Sequence, residues 1–277
     1  MKNIDFKHIV SVGAVALLAS GYSTSFAQTS YLKCDQDLGF ALAQCHLTGS
    51  VIENTEPAFE GERYEAEFSI NANATCGPNA YSSGIYLSAS GRDNRSPEIR
   101  LGTQTQARLT GMGPVQIFTD DVTNRLGKRQ AASPCGLTVD VSAHPSQATV
   151  QIWISQAQIL TANLKSLADI YSSKSIMIFW FETYISSPDA TQTVLLEMQN
   201  QLNENGSESS KIQAQAIQLI LDKSPREQID ALYSGYRARI ESEIPAAEKS
   251  IRKLNFINSS ESATLSAAIG EALNATK

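Results

Sequence analysis

The chain has 277 residues, 42% of them hydrophobic and 18% charged, and a formal net charge of −6. That length accommodates two domains or one larger α+β unit. The acidic balance argues against nucleic acid as a partner, because neutralising phosphates needs a basic patch, and the local clusters Arg92, Arg95, Arg100 and Lys128-Arg129 read as solvated loops.

The first residues have the build of an export leader. Lys2 and Lys7 supply positive charge, Ile9 to Ala19 is a short apolar stretch, and Ser25-Phe26-Ala27 is the small-x-small pattern a signal peptidase needs before Gln28. Removing residues 1–27 takes away two lysines and one aspartate, so the remainder is more acidic still. The longest later apolar run, Ile176 to Phe181, is far short of the ~20 residues of a spanning helix, so no transmembrane segment is expected in the mature chain.

Four cysteines follow: Cys34, Cys45, Cys76 and Cys135. An even count after a leader implies disulfides. Three pairings are open, and chain proximity favours Cys34 with Cys45 and Cys76 with Cys135. The spacings lack the close pairs of a zinc site.

From about Gln44 to Ile154 the apolar residues alternate. Tyr64, Ala66, Phe68 and Ile70 form one such series; Ile85, Leu87 and Ala89 a second; Leu137, Val139 and Val141 a third; Val150, Ile152 and Ile154 a fourth. Shorter strands are expected at 99–101, 107–109 and 115–119. Alternation marks strands with one face in a core. Turn residues punctuate them, as in Cys76-Gly77-Pro78-Asn79 and Gly111-Met112-Gly113-Pro114. Seven or eight short strands of this kind predict an antiparallel β-sandwich.

Beyond about Ser155 the period becomes helical, at Ile159, Leu160, Leu164, Leu167 and Ile170. Ile176 to Ile185 suits strand or helix, its aromatic and β-branched content leaning towards strand. Ser187-Pro188 starts a helix that Asn205-Gly206 ends. Ser207 caps the next. Ser224-Pro225-Arg226-Glu227 reads as a capping box, Pro245 as a kink or interruption, and Asn258-Ser259-Ser260-Glu261 as a final cap.

Little points to catalysis. Nucleophilic chemistry needs a base, and after the leader only His46 and His144 remain, with no nucleophile elbow around either. No zinc-hydrolase, Walker or dinucleotide motif occurs. Glu65 and Glu67 lie on one strand face, a spacing that fits a glycosidase pair and equally a solvated edge. No organic cofactor is implied. Calcium is the inorganic partner such a scaffold could hold, with Asp35-Gln36-Asp37 and Asp120-Asp121 with Asn124 as ligand sources. The glycosylation sequons at Asn73, Asn94, Asn205, Asn258 and Asn274 have meaning only in a glycosylating host. If Val150 to Ile154 is a strand, Trp153 faces away from its apolar neighbours. With Tyr86 and Phe118 it would then make an aromatic platform for sugar or peptide, unless a C-terminal helix covers that face.

The fold expected is therefore α+β: a leader at 1–27, a disulfide-bonded antiparallel β-sandwich at 28–155, and a mainly α-helical region at 156–277. The function expected is that of a periplasmic or secreted, non-enzymatic binding or interaction protein with a protein or glycan partner outside the cytoplasm. A secreted carboxylate-dependent hydrolase of polysaccharide or cell-wall material is the alternative. A helper that uses an exposed apolar helix face to meet a partner or membrane surface is a third reading.

Overall fold

Strands come first and helices second, as the change of period requires. A computed structural model describes residues 24–37, 42–47, 52, 55–75, 85–89, 95–99, 104–119, 122–125 and 135–277, with side chains at 52, 55–73, 86–89, 95–99, 104–117 and 137–277. The strands are β1 (Thr24–Asp37), β2 (Leu42–Leu47), β3 (Ala58–Phe59), β4 (Glu62–Arg63), β5 (Ala66–Thr75), β6 (Ile85–Ser88), β7 (Gln104–Gly111), β8 (Gln116–Thr119), β9 (Val122–Arg125) and β10 (Cys135–Pro145). The helices are α1 (Gln147–Ser186), α2 (Pro188–Asn205), α3 (Glu208–Leu221), α4 (Arg226–Phe256) and α5 (Glu261–Ala275).

Six strands make one antiparallel sheet in the order β7-β5-β10-β1-β2-β9. Phe68, Ile70 and Ala72 of β5 stand beside Leu137, Val139 and Val141 of β10 on its apolar face. That face is covered by the β6–β8 ribbon, through Leu87 and Ile117, and by Ile52, Ile99 and Val115 from irregular segments. The expected β-sandwich is thus corrected. The covering layer is a two-stranded ribbon with loops, not a second sheet, because Ile99 is buried without joining a strand and Val150 to Ile154 is helical. No disulfide occurs among the described residues, and the expected pairings fall on cysteines whose side chains lie outside them. The register sets Cys34 opposite Cys45 and Cys135 opposite Leu32; Cys76 lies outside the described residues, as do the side chains of the other three. Thr24–Ala27, read as the end of the leader, pair with Asp140–Ala143 at the start of β1.

The boundary between halves falls at Ser146, about nine residues earlier than the sequence suggested. Ser146 Oγ accepts from the Thr149 amide at 3.2 Å and donates to the Glu65 carboxylate at 2.8 Å, so the cap is tied to the sheet as well as to its own helix. Once the helix starts there, the buried series becomes Thr149, Trp153, Ala157, Leu164, Leu167 and Ile170, a 3.6-residue period. The alternation of Val150, Ile152 and Ile154 is incidental to it, and Ile152 is exposed. The same helix continues through Ile176 to Ile185, with Met177 and Tyr184 buried seven residues apart, so packing overrides strand propensity.

At 40 residues α1 is about 60 Å long. It is the spine of two successive cores. Its first half packs on α5 and the second half of α4 through Leu164, Leu167, Ile240, Leu254 and Leu265. Its second half packs on α2, α3 and the start of α4 through Ile170, Met177, Leu195, Ile217 and Tyr233. The Tyr233 hydroxyl meets Ser173 Oγ at 3.0 Å inside that core. Helix ends follow the sequence signals closely. Gly206 takes the left-handed conformation after α2, and Ser207 Oγ accepts from the Ser210 amide at 3.1 Å. The capping box at Ser224 is displaced: Pro225 is the cap and makes no side-chain bond. Helix α4 runs unbroken through Pro245.

Candidate functional site

Three surface features are candidates, and the most elaborate lies where the sheet half meets the helices. Strands β3 and β4 form a hairpin whose two-residue turn, Glu60-Gly61, has positive φ at both positions (49° and 82°), the geometry that a tight hairpin with right-handed twist requires. The hairpin projects two carboxylates onto α4, Glu60 from the turn and Glu62 from the start of β4. Glu60 grips the Arg252 guanidinium with bonds of 2.6 and 3.2 Å. Glu62 takes bonds from the Lys249 and Lys253 ammonium groups, the latter at 2.7 Å. Lysine and arginine at positions 249, 252 and 253 share one helical face by their i, i+3, i+4 spacing.

Those bonds, that from Lys249 first and that from Lys253 second, lower the Glu62 carboxyl from its ordinary 4.5 to about 2. Arg252 likewise holds Glu60 below its ordinary value. Beneath the ion pairs is an aromatic cluster. Trp153, only 6% exposed, lies 5.9 Å from Phe59, 5.5 Å from Tyr64 and 6.4 Å from Phe256, and the Lys253 ammonium sits 5.5 Å from its ring centre. A cavity of about 450 Å³ opens beside it, lined by Glu62, Gln156, Ile159, Leu160, Lys249 and Lys253 among others.

The second feature is the far half of α1. Ile176, Phe179 and Ile185 are 53%, 60% and 63% exposed, and Phe179 packs edge-on against Trp180 at 5.8 Å. Ile185 lines a largely apolar cleft of about 460 Å³ with Phe181, Tyr184, Pro188, Ile220 and Pro225 among others, whereas Ile176, nine residues earlier, lies on the opposite side of the helix. Ion pairs stand nearby, Arg226 with Glu182 at 3.2 Å and Lys174 with Asp230 at 2.7 Å. The third is a groove of about 490 Å³ on the sheet, with Ser69, Asn71, Gln106, Arg108, Asp140 and Ser142 in its lining and no aromatic ring.

The residues picked from the sequence are distributed as follows. Tyr86 and Phe118 are cross-strand partners on the β6–β8 ribbon, and Arg95 lies over the Tyr86 ring at 5.5 Å; the Phe118 side chain is outside the described residues. Trp153 belongs to the junction instead, because a helix rather than a strand carries it. Glu65 accepts the bond from Ser146, and Glu67 pairs with Arg108 at 3.6 Å. His144 is exposed on β10 opposite Glu67, and His46 is opposite Lys33. Of the calcium sources, Asp120 and Asp121 lie outside the described residues, as do the side chains of Asp35, Asp37 and Asn124. Among the described residues no three His, Cys, Asp or Glu side chains are grouped to hold a metal ion, and no helix is long and apolar enough to cross a membrane. The junction was missed at the sequence level. Its signals were the Glu-Gly turn and the basic triplet 249, 252, 253, nearly 190 residues apart. The sequence matches no protein-family model and no curated protein.

Proposed function

We propose that this chain is an exported, periplasmic or secreted, non-enzymatic binding protein that recognises an apolar segment of a partner protein through the far half of α1. The observation that carries this reading is the largely apolar cleft of Phe181, Tyr184, Ile185, Pro188, Ile220 and Pro225, with Ile185 exposed on its wall. An exposed apolar cleft rimmed by charge marks an interaction site. The rim carries both signs, through Arg226, Glu182, Lys174 and Asp230, which suits a protein segment of mixed charge. The charged leader and the Ser25-Phe26-Ala27 pattern support export.

The test is crosslinking of the mature protein in the envelope fraction, with Ile185→Asp compared against the sheet-groove control Gln106→Ala. A stoichiometric protein partner is expected with wild type and with the control. Ile185→Asp should weaken it by roughly 2 kcal/mol, the scale of an interface anchor. Ile185 is exposed, so circular dichroism should be unchanged. A partner held equally by all variants, or a glycan lost only with Gln106→Ala, overturns the reading.

A further inference from the structure

The cavity at the sheet–helix junction combines two properties. The first is charge. Lys249 and Lys253 both face it, and they share the single carboxylate of Glu62. Glu60 is close enough to act on Lys249, but both its oxygens are bound to Arg252, on which Glu248 also acts. The cavity wall therefore carries one more ammonium than carboxylate. The second is apolar surface. Ile159 stands on the wall 61% exposed, with Leu160 and Ala246 beside it, while Gln156 and Ser250 add hydrogen-bonding groups. A positive head site next to an uncovered apolar wall, in a volume of about 450 Å³, has the mixture of apolar lining and few polar anchors that small-molecule sites show.

We propose that this cavity binds a small amphiphilic monoanion: an apolar body carrying one carboxylate, its head between Lys249 and Lys253 and its body against Ile159 and Leu160. The hairpin carboxylate of Glu62 marks where an anion is held, and the ligand takes the unmatched share of the two ammonium groups. This site is separate from the apolar cleft at the far half of α1.

The chain has two tryptophans, Trp153 and Trp180, so Trp180→Phe leaves a single reporter, with Lys253 over its ring. Decanoate titrated into the full-length Trp180→Phe protein should shift Trp153 emission saturably, at one ligand per chain by calorimetry. Decanol, which keeps the body without the charge, and acetate, which keeps the charge without the body, should each bind at least tenfold more weakly. Lys249→Gln and Ile159→Glu should each weaken decanoate at least tenfold, Lys249→Arg should retain it, and Phe179→Asp should leave it unchanged. Lys249 and Ile159 are solvent-accessible, so these variants keep the fold. No saturable shift, equal binding of decanol, unaffected binding in Lys249→Gln, or loss in Phe179→Asp overturns the proposal.

Discussion

Gly113 shows how much one residue decides in the sheet half. Its φ is +60°, and a Cβ there would sit 2.5 Å from the Thr55 carbonyl oxygen and 3.0 Å from the Pro57 ring. Neither neighbour is a flexible side-chain end. Thr55 is itself committed: its hydroxyl donates to Ile52 at 2.7 Å and accepts from the Val115 amide at 2.7 Å, pinning two core residues. Gly113→Ala should therefore lower stability by roughly 1–3 kcal/mol from backbone strain alone, with the clash added. Urea unfolding followed by circular dichroism measures it, and a midpoint equal to wild type would refute the account. The turn residues around Gly113 were legible in the sequence. Why glycine was needed was not, since Thr55 is 58 positions away.

At the scale of elements, the β3–β4 hairpin and α4 make an electrostatic clasp with a definite pH response. The Glu62 carboxyl is depressed from 4.5 to about 2, so its contribution is fully present above about 4.5 and is lost as the pH falls through about 2. Glu60, also depressed, acts in the same direction. Acidification from pH 5 to pH 2 should loosen the hairpin from α4 and change Trp153 emission in the Trp180→Phe protein. Glu62→Gln should remove much of that change. An acid response identical in both proteins would show that the clasp is not its source. Because both carboxylates are at the surface, raising salt should weaken the clasp even at neutral pH.

Helix ends and helix interiors were legible to different degrees. Gly206 and Ser207 act locally, through a left-handed residue and a hydroxyl-to-amide bond, so four residues of sequence sufficed to place them. The stretch from Val150 to Ile154 misled because five residues cannot distinguish a period of 2 from one of 3.6. Its state is set by Ser146, which bonds to Glu65 across the chain, and by Trp153, which finds Tyr64, Phe59 and Phe256 on one side of a helix. Pro245 costs α4 one backbone bond, yet buried Ile240, Ala247 and Leu254 on either side hold the helix through it.

At the scale of the molecule, α1 links two helical cores and enters directly from β10, so the sheet and the helices meet at one short corner, braced by the hairpin. The proposed export has a structural consequence at the sheet. Cleavage after Ala27 would remove the four pairs from Thr24 to Ala27 and keep those from Gln28 opposite Val139 to Leu32 opposite Cys135. N-terminal sequencing of the exported protein should read Gln28. A mature start before Thr24 would instead retain the whole of β1 and overturn the assignment of the cleavage point.

The sequence by itself determined what acts over a few residues: the order of strands before helices, the alternation of β5 and β10, and the ends of α2 and α3. Those features depend on side-chain period and on bonds between near neighbours. Only the tertiary structure decided that one sheet covered by a ribbon replaces a sandwich, that Val150 to Ile154 and Ile176 to Ile185 are helical, and that Trp153 is buried. It alone joined Glu60 and Glu62 to Lys249, Arg252 and Lys253, because the free energy of burying an aromatic ring or pairing a charge depends on what the distant chain brings to it.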